Sequence, residues 1–339
     1  MRDLINLQKK LLPDLLEVIE ERYSILRSVD LFQPIGRRGL AENTNLTERI
    51  VRSEIDFLQK QNLILITSKG MYLTKEGKLT LDQLAGFMNE MMGLHVLEME
   101  VKEKLQIEHV SIVPGNSDNY EWVKQEMGKA SISFLKSVLK HGSTIAVTGG
   151  TTMAAVADVM TTLTKTNDYL FVPARGGIGE KVENQANTIA AEMARKSKGD
   201  YRLLYVPDPL SETAYKTIIN EPSINETLKQ IKGASIVLHG IGDAMTMAER
   251  RKTTESVNQK LRTNNAISEA FGYYFDENGA VVHKVRTVGI QLEDLEAIEY
   301  VITIAGGKSK GQAIKSYFRQ GKSSLLITDE AAATEILRD

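Results

Sequence analysis

Seven short apolar runs punctuate the chain from residue 109 onward: His109–Val113, Thr144–Thr148, Tyr169–Val172, Arg202–Val206, Ser235–His239, Tyr300–Ala305 and Ser324–Thr328. Stretches with helical periodicity separate them. Several runs carry little polar alternation, so both faces of each strand need apolar cover, which helices packed on either side of a parallel sheet supply. The pattern predicts an α/β class with a Rossmann-like open parallel sheet. Ligands in such sheets bind beyond the carboxyl ends of the strands. The unusual residues of the chain gather at those ends: Gly149-Gly150-Thr151-Thr152, Pro173-Ala174-Arg175-Gly176-Gly177, His239-Gly240-Ile241-Gly242-Asp243 and Ala305-Gly306-Gly307-Lys308-Ser309-Lys310.

The first of these follows the run Ile145-Ala146-Val147-Thr148 and then turns helical. Gly149 and Gly150 let the backbone approach a ligand, while the next helix aims its unpaired N–H groups and positive dipole end at the same point. This is a cradle for a phosphate, although Thr151 or Thr152 acting as a plain N-cap accounts for the same residues. Arg175 and Lys310 fall toward one rim, and Arg250 and Arg251 follow the Gly240 to Gly242 loop. A phosphate monoester carries about −1.5 to −2 at neutral pH, so two such groups call for several cations. Four basic candidates suit a sugar bisphosphate better than a neutral sugar, while each taken singly also fits a solvated surface charge.

Other chemistries fit less well. Gly307-Lys308-Ser309 suggests a nucleotide P-loop, but the first glycine of that motif would fall on Ile302. Gly149-Gly150 lacks the third spaced glycine of a dinucleotide fingerprint. A sugar-phosphate isomerase or deaminase is the enzymatic alternative. Enzymes of the glucosamine-phosphate deaminase type carry Gly-Ile-Gly-x-Asp-Gly-His, supplying a carboxylate and an imidazole for proton transfer. Here Gly240-Ile241-Gly242 is present, whereas the acid and histidine positions fall on Ala244 and Thr246. Asp243, one position off, keeps that option open. His239 and His283 read as core or hairpin histidines, and no ligand spacing points to a metal. The expectation is a protein without catalytic residues or a cofactor.

The front of the chain carries a different pattern. Leu16, Ile19, Tyr23, Leu26 and Val29 are spaced as the buried stripe of a helix. After Gln33-Pro34-Ile35-Gly36 come a short helix, a turn near Thr44 and Asn45, and a second helix capped by Thr47. Leu40, Leu46, Val51, Ile55 and Leu58 supply the inner face of this pair, and Arg37, Arg38, Arg49 and Arg52 stay outside. Leu63–Thr67 and Met71–Thr74 then flank Ser68-Lys69-Gly70 as a hairpin. Three helices and a hairpin make a winged helix-turn-helix, in which the second helix of the pair enters the major groove of double-stranded DNA. A small helical interaction module explains the helices but not the basic bias. One such module gives non-specific affinity on the order of 10⁻⁴ to 10⁻⁶ M, so operator binding calls for at least a dimer.

Residues 75–106 are strongly helical, with apolar Leu81, Leu84, Met88, Met91, Met92, Leu97 and Val101 interrupted by Gly86 and Gly93. A methionine-rich stripe of this kind is usually packing surface. The expected organisation is a DNA-binding domain over 1–74, a helical linker over 75–106 that helps dimerise, and an effector domain over 107–339. With a net charge of −2 the chain is no polycation, so nucleic-acid contact depends on a local patch. The absence of cysteine removes disulfide and thiolate-zinc readings. Without a membrane-length apolar run, a cytoplasmic protein with no membrane partner is expected.

Four segments also carry a family likeness. Ile35-Gly36-Arg37-Arg38, Val147-Thr148-Gly149-Gly150-Thr151-Thr152, Phe171-Val172-Pro173-Ala174-Arg175-Gly176-Gly177 and Glu269-Ala270-Phe271-Gly272-Tyr273-Tyr274-Phe275 together resemble the SorC/DeoR group of sugar-responsive bacterial repressors. The likeness runs the full length. It implies an effector domain similar to sugar-phosphate isomerases but without catalysis, binding fructose 1,6-bisphosphate. It further implies a tetrameric repressor on an operator ahead of a glyceraldehyde-3-phosphate dehydrogenase operon, released as the sugar bisphosphate accumulates. Carried over to this chain, the likeness implies one phosphate at Gly149, Gly150, Thr151 and Thr152, with Arg175, Gln185 and Lys310 around the ligand. It makes Arg250 and Arg251 the clamp for the other phosphate, and Glu269 the acceptor for sugar hydroxyls.

Overall fold

The computed structural model describes residues 11–338 except 45, 92, 165–167, 178–180, 209 and 324. The chain divides into two compact units between His95 and Val96.

In the first unit, helices Pro13–Phe32, Arg37–Thr44 and Glu48–Lys60 precede strands β1 (Ile64–Thr67) and β2 (Gly70–Leu73), followed by helix Lys75–Met91. The helices form where the apolar stripe demands. Leu26 and Val29 from the first, Leu40 from the second, and Val51, Ile55 and Leu58 from the third close one buried core. Thr47 caps the third helix, its Oγ1 accepting from the Ile50 N–H at 3.3 Å. The expected turn residue Asn45 lies outside the described residues. The β1–β2 wing is tied to the entry loop, where Leu73 N–H donates to Gln33 Oε1 at 2.9 Å and Ile35 bridges Met71. The helical stretch after the wing is broken at Gly93, whose φ of 71° favours glycine. Before the break, Met88 packs on Leu16; helix Leu94–Leu105 follows it. Met92 and the Met91 side chain, both counted in the expected stripe, lie outside the described residues.

The second unit contains β3 (His109–Val113), β4 (Ser143–Val147), β5 (Tyr169–Pro173), β6 (Asp200–Tyr201), β7 (Ile236–His239), β8 (Gly242–Asp243), β9 (Ser268–Ala270), β10 (Tyr273–Phe275), β11 (Val281–Lys284), β12 (Tyr300–Ile304) and β13 (Leu325–Asp329). Seven of these form one sheet in the order β3-β13-β12-β7-β4-β5-β6, every neighbouring pair parallel. From β4 the chain winds outward through β5 and β6. From β7 it winds the other way through β12 and β13. The reversal falls between β4 and β7, which makes the crevice beyond their carboxyl ends the topological switch point. The remaining strands β8 to β11 form a small antiparallel sheet.

One expected strand is corrected. Residues 202–206 are not in the sheet, and β6 is only Asp200–Tyr201. Arg202 N–H still reaches Phe171 O at 3.0 Å. Beyond it, the Asn187 side chain takes both backbone groups of Leu204, accepting from its N–H at 3.0 Å and donating to its C=O at 2.9 Å. Leu204 and Val206 are buried, yet the Leu204 backbone is taken by a side chain and Val206 O accepts from Gly177 N–H at 3.0 Å, outside the sheet. Ser324, the expected first residue of the last strand, lies outside the described residues.

Candidate functional site

A cavity of about 390 Å³ opens at the switch point. Thr148 stitches the two strand ends together, its N–H donating to Leu238 O at 3.0 Å and its Oγ1 accepting from Gly240 N–H at 3.3 Å. The chain then turns through Gly149 and Gly150 into helix Thr151–Asp158. A Cβ on Gly149 would stand 2.5 Å from Asn184 O, and Gly150 sits at φ 113°, so neither position takes another residue without displacement or strain. Gly150 is itself the N-cap, and no side chain caps the helix. Thr151 and Thr152 are therefore not the capping residues that one reading of the sequence allowed. They line the cavity together with Gly149 and Gly150. The first-turn N–H groups come before the first intrahelical bond, in which Ala154 N–H donates to Gly150 O at 2.9 Å.

The other walls bring in charge. Arg175, Gln185, Arg250, Glu269 and Lys310 all line the same cavity. The loop that carries Lys310 is fixed from behind: buried Asp329 accepts from Gly307 N–H at 2.7 Å, and Asp118 accepts from Ser309 N–H and Oγ–H, each at 2.8 Å. Lys310 Nζ makes no hydrogen bond or ion pair among the described residues. Burial, then the charges of Lys124 and Arg250, hold its pKa below the ordinary 10.5 against the opposing pull of Asp118 and Asp329. This corner of the cavity is short of negative charge.

Arg251 departs from expectation. Its guanidinium is buried and does not line the cavity. Helix Ala244–Arg250 ends beside it, and adjacent helical residues point about 100° apart, so Arg250 faces the cavity while Arg251 turns into the small sheet. There its Nη2 donates to Glu269 Oε1 at 2.8 Å and its Nη1 to Tyr274 Oη at 3.0 Å. Burial alone would raise the Glu269 pKa. Arg251, Arg175 and the Gly272 N–H at 2.7 Å outweigh it and hold the carboxyl below its usual value. One Glu269 oxygen is thus already committed to the protein.

The turn that supplies Gly272 holds Phe271 at φ 53°, an uncommon conformation for a residue with a side chain. Phe271 also lines the cavity, as do Thr246 and Ser309, and sequence reasoning singled out none of the three. Asp243 followed by Thr246 was a visible N-cap signature; Phe271 gave no signal beyond its place in the motif.

The enzymatic alternative finds no acid/base pair here. Asp243 Oδ1 accepts from both the N–H and the hydroxyl of Thr246, at 2.8 and 2.7 Å, as the cap of the next helix. His239 is fully buried, and that burial lowers its pKa to about 4. Its Nδ1–H donates to Gly240 O at 3.0 Å, leaving Nε2 to accept from Thr303 Oγ1 at 2.9 Å. It is a neutral core histidine. His283 sits on hairpin strand β11, opposite Tyr274. Among the described residues no group of His, Asp and Glu is placed to hold a metal ion.

In the first unit, Arg37, Arg38, Arg49 and Arg52 are exposed, as is Lys69 at the wing tip. Arg38 lies 3.7 Å from Glu42. Arg49 and Arg52 make no ion pair among the described residues, and both project from the helix whose opposite face buries Val51, Ile55 and Leu58.

Comparison with known proteins accounts for both units. The family model of a sugar-binding domain matches residues 89–338, and that of the CggR N-terminal DNA binding domain matches residues 18–88. The chain is 56% identical over 340 residues to the central glycolytic genes regulator of Priestia megaterium, covering 100% of this chain and 99% of that protein. It is 50% identical over 339 residues to the regulator of the same name from Bacillus subtilis, with 100% of both covered. The crystal structure of a SorC-family transcriptional regulator from Enterococcus faecalis superimposes with a TM-score of 0.69 at 47% identity, over 72% of this chain and 100% of that one. With a DNA-binding domain in front of a sugar-binding domain, and relatives that are regulators rather than enzymes, this chain belongs to the SorC/DeoR family of transcriptional regulators.

Proposed function

We propose that the chain represses a glycolytic operon, that of glyceraldehyde-3-phosphate dehydrogenase, by holding operator DNA as a homo-oligomer, and that fructose 1,6-bisphosphate in the cavity weakens the hold. The observation that carries this reading is the pairing, in one cavity, of an uncapped Gly-Thr helix N-terminus with Arg250 and with Lys310, whose Nζ makes no hydrogen bond or ion pair among the described residues. An amide cradle and a cation pair suit two phosphate groups. In this reading Gly149, Gly150, Thr151 and Thr152 take one phosphate, with Arg175 and Gln185 beside it. Arg250 and Lys310 take the other, and the uncommitted oxygen of Glu269 accepts from a sugar hydroxyl.

Arg37, Arg38, Arg49 and Arg52 are the proposed DNA contacts. Dimers or tetramers supply the several modules that operator affinity requires. The names of the relatives support the glycolytic assignment. Among the described residues no helix is long and apolar enough to cross a membrane, which accords with cytoplasmic work on DNA.

The effector acts by binding the DNA-competent and DNA-incompetent states unequally, a coupling of about 1 to 3 kcal/mol in typical cases. Gel-shift titration of an operator fragment at fixed salt, with and without fructose 1,6-bisphosphate, tests this. Unchanged affinity, cooperativity and stoichiometry would remove the effector from the proposal.

A further inference from the structure

Behind the cavity wall lie four buried charges, of which the effector reading uses two. Arg175 and Glu269 reach the cavity; Asp208 and Arg251 stand behind them. The two cavity residues meet the opposite charges of this group at unlike distances. Glu269 Oε1 takes short hydrogen bonds from Arg251 and from the Gly272 backbone. Arg175 meets its carboxylates at longer range, with Nη1 3.6 Å from Glu269 Oε1 and Nε 3.9 Å from Asp208 Oδ2. Those two separations are ion pairs beyond hydrogen-bond length.

Asp208 is the unusual member. Its side chain is 0% exposed, and neither carboxylate oxygen has a hydrogen-bond partner among the described residues. Burying a carboxylate without hydrogen bonds is costly. The local backbone does not need it, because Asp208 N–H already donates to Gly177 O at 2.9 Å. What the carboxylate has is Arg175. Burial raises its pKa, and the positive charges of Arg175 and Arg251 work against that rise.

We propose that Asp208 is a positioning residue that keeps Arg175 in reserve: without effector it shares the guanidinium with Glu269, and an anion on the cavity side draws Arg175 away from it. This rests on the cavity being the phosphate site. A phosphate offers three acceptor oxygens and a charge of about −1.5 to −2, and so gives Arg175 charge-assisted hydrogen bonds that a carboxylate at 3.9 Å does not. Asp208 never touches the ligand. It sets effector affinity by competing for Arg175, which weakens binding. The chain thereby holds a means of setting affinity that leaves the contact residues unchanged.

The test is calorimetric titration of full-length protein with inorganic phosphate and with fructose 1,6-bisphosphate. Asp208→Asn keeps the shape and removes the charge, and should bind both ligands roughly three- to tenfold more tightly, as expected for releasing one charged partner. Asp208→Glu should stay near wild type. In an Arg175→Met background the gain from Asp208→Asn should shrink to less than about twofold, because coupled residues lose their interaction when either is removed. Equal or weaker binding by folded Asp208→Asn overturns the proposal, as does a gain that survives Arg175→Met. Should Asp208→Asn not fold, the Asp208 carboxyl ¹³C resonance of the wild-type protein is followed during phosphate addition. Movement with saturation supports the reserve role, and a fixed resonance despite saturable binding overturns it. A wild-type protein that binds neither ligand instead defeats the reading of the cavity itself, and the role of Asp208 with it.

Discussion

The two surfaces proposed to meet anions use the same residue type in opposite ways. On the helix-turn-helix, Arg37, Arg38, Arg49 and Arg52 stand in solvent, and among the described residues Arg38 alone of the four has an ion pair, with Glu42. At the wall of the switch-point cavity and directly behind it, Arg175 and Arg251 are 8% and 0% exposed and are matched by Asp208 and Glu269. Exposed arginines contribute little to folding and act on a polyanion through counterion release, which salt weakens steeply. Buried arginines are screened far less and hold fixed positions, which suits a small ligand with charge at defined points. The price is paid in the fold, since each buried charge depends on its partner.

That contrast predicts the largest effect for Arg251, which does not line the cavity. Arg251→Leu leaves Glu269 buried without its closest charged partner and should destabilise the second unit by about 3–5 kcal/mol, read as a lower denaturant midpoint. Arg251→Leu with Glu269→Leu should recover much of the loss, because both charges leave together. Arg49→Ala with Arg52→Ala should shift stability by no more than about 0.5 kcal/mol. A comparable loss from the exposed pair would break the comparison.

The next effect is on operator binding. Arg49→Ala with Arg52→Ala should lower operator affinity roughly tenfold or more and reduce the slope of log affinity against log salt by about 2 if each arginine neutralises one phosphate. A slope equal to wild type would place these side chains away from the DNA backbone. Arg250→Ala should do the reverse, costing effector affinity about tenfold or more while sparing operator binding in the absence of effector. A variant that no longer bound DNA would show that the two surfaces do not divide the work as proposed.

The sequence disclosed the two regions unequally, for a physical reason. The helix-turn-helix rests on contacts between near neighbours: Thr47 caps the turn that follows it, and the stripe of Val51, Ile55 and Leu58 leaves Arg49 and Arg52 outside. Most of the parallel strands were legible because they are continuously apolar; 202–206 is the exception, where only Leu204 and Val206 are buried, Tyr205 is exposed and Asn187 takes the Leu204 backbone. The cavity depends on which way single side chains turn across distant segments. Arg250 and Arg251 are adjacent and identical in type, and only the packing against Glu269 and Tyr274 tells them apart. Asp208 falls in no motif. Its importance comes from standing beside Arg175, 33 positions earlier in the chain, which periodicity cannot convey.

The smallest expected effect sharpens the comparison through pH. Lys310 has a folded pKa below 10.5 because burial, Lys124 and Arg250 disfavour its charge. Its charged form therefore costs stability at neutral pH, and the cost is relieved as pH rises through the lowered pKa. Effector binding carries the opposite sign. A phosphate, fully ionised above its second pKa of about 6, favours charged Lys310 and raises its pKa. Affinity should then fall as pH climbs through the lowered value, with proton uptake on binding in that range. Arg250→Ala removes one of the charges depressing Lys310, so the decline should begin at higher pH. Calorimetry in buffers of differing ionisation enthalpy reads the proton uptake directly. Lys310 is not among the four proposed DNA contacts, so operator affinity without effector should be flat over the same interval. Effector affinity that is equally flat would remove Lys310 from the anion site and leave Arg250 as the exposed cation there.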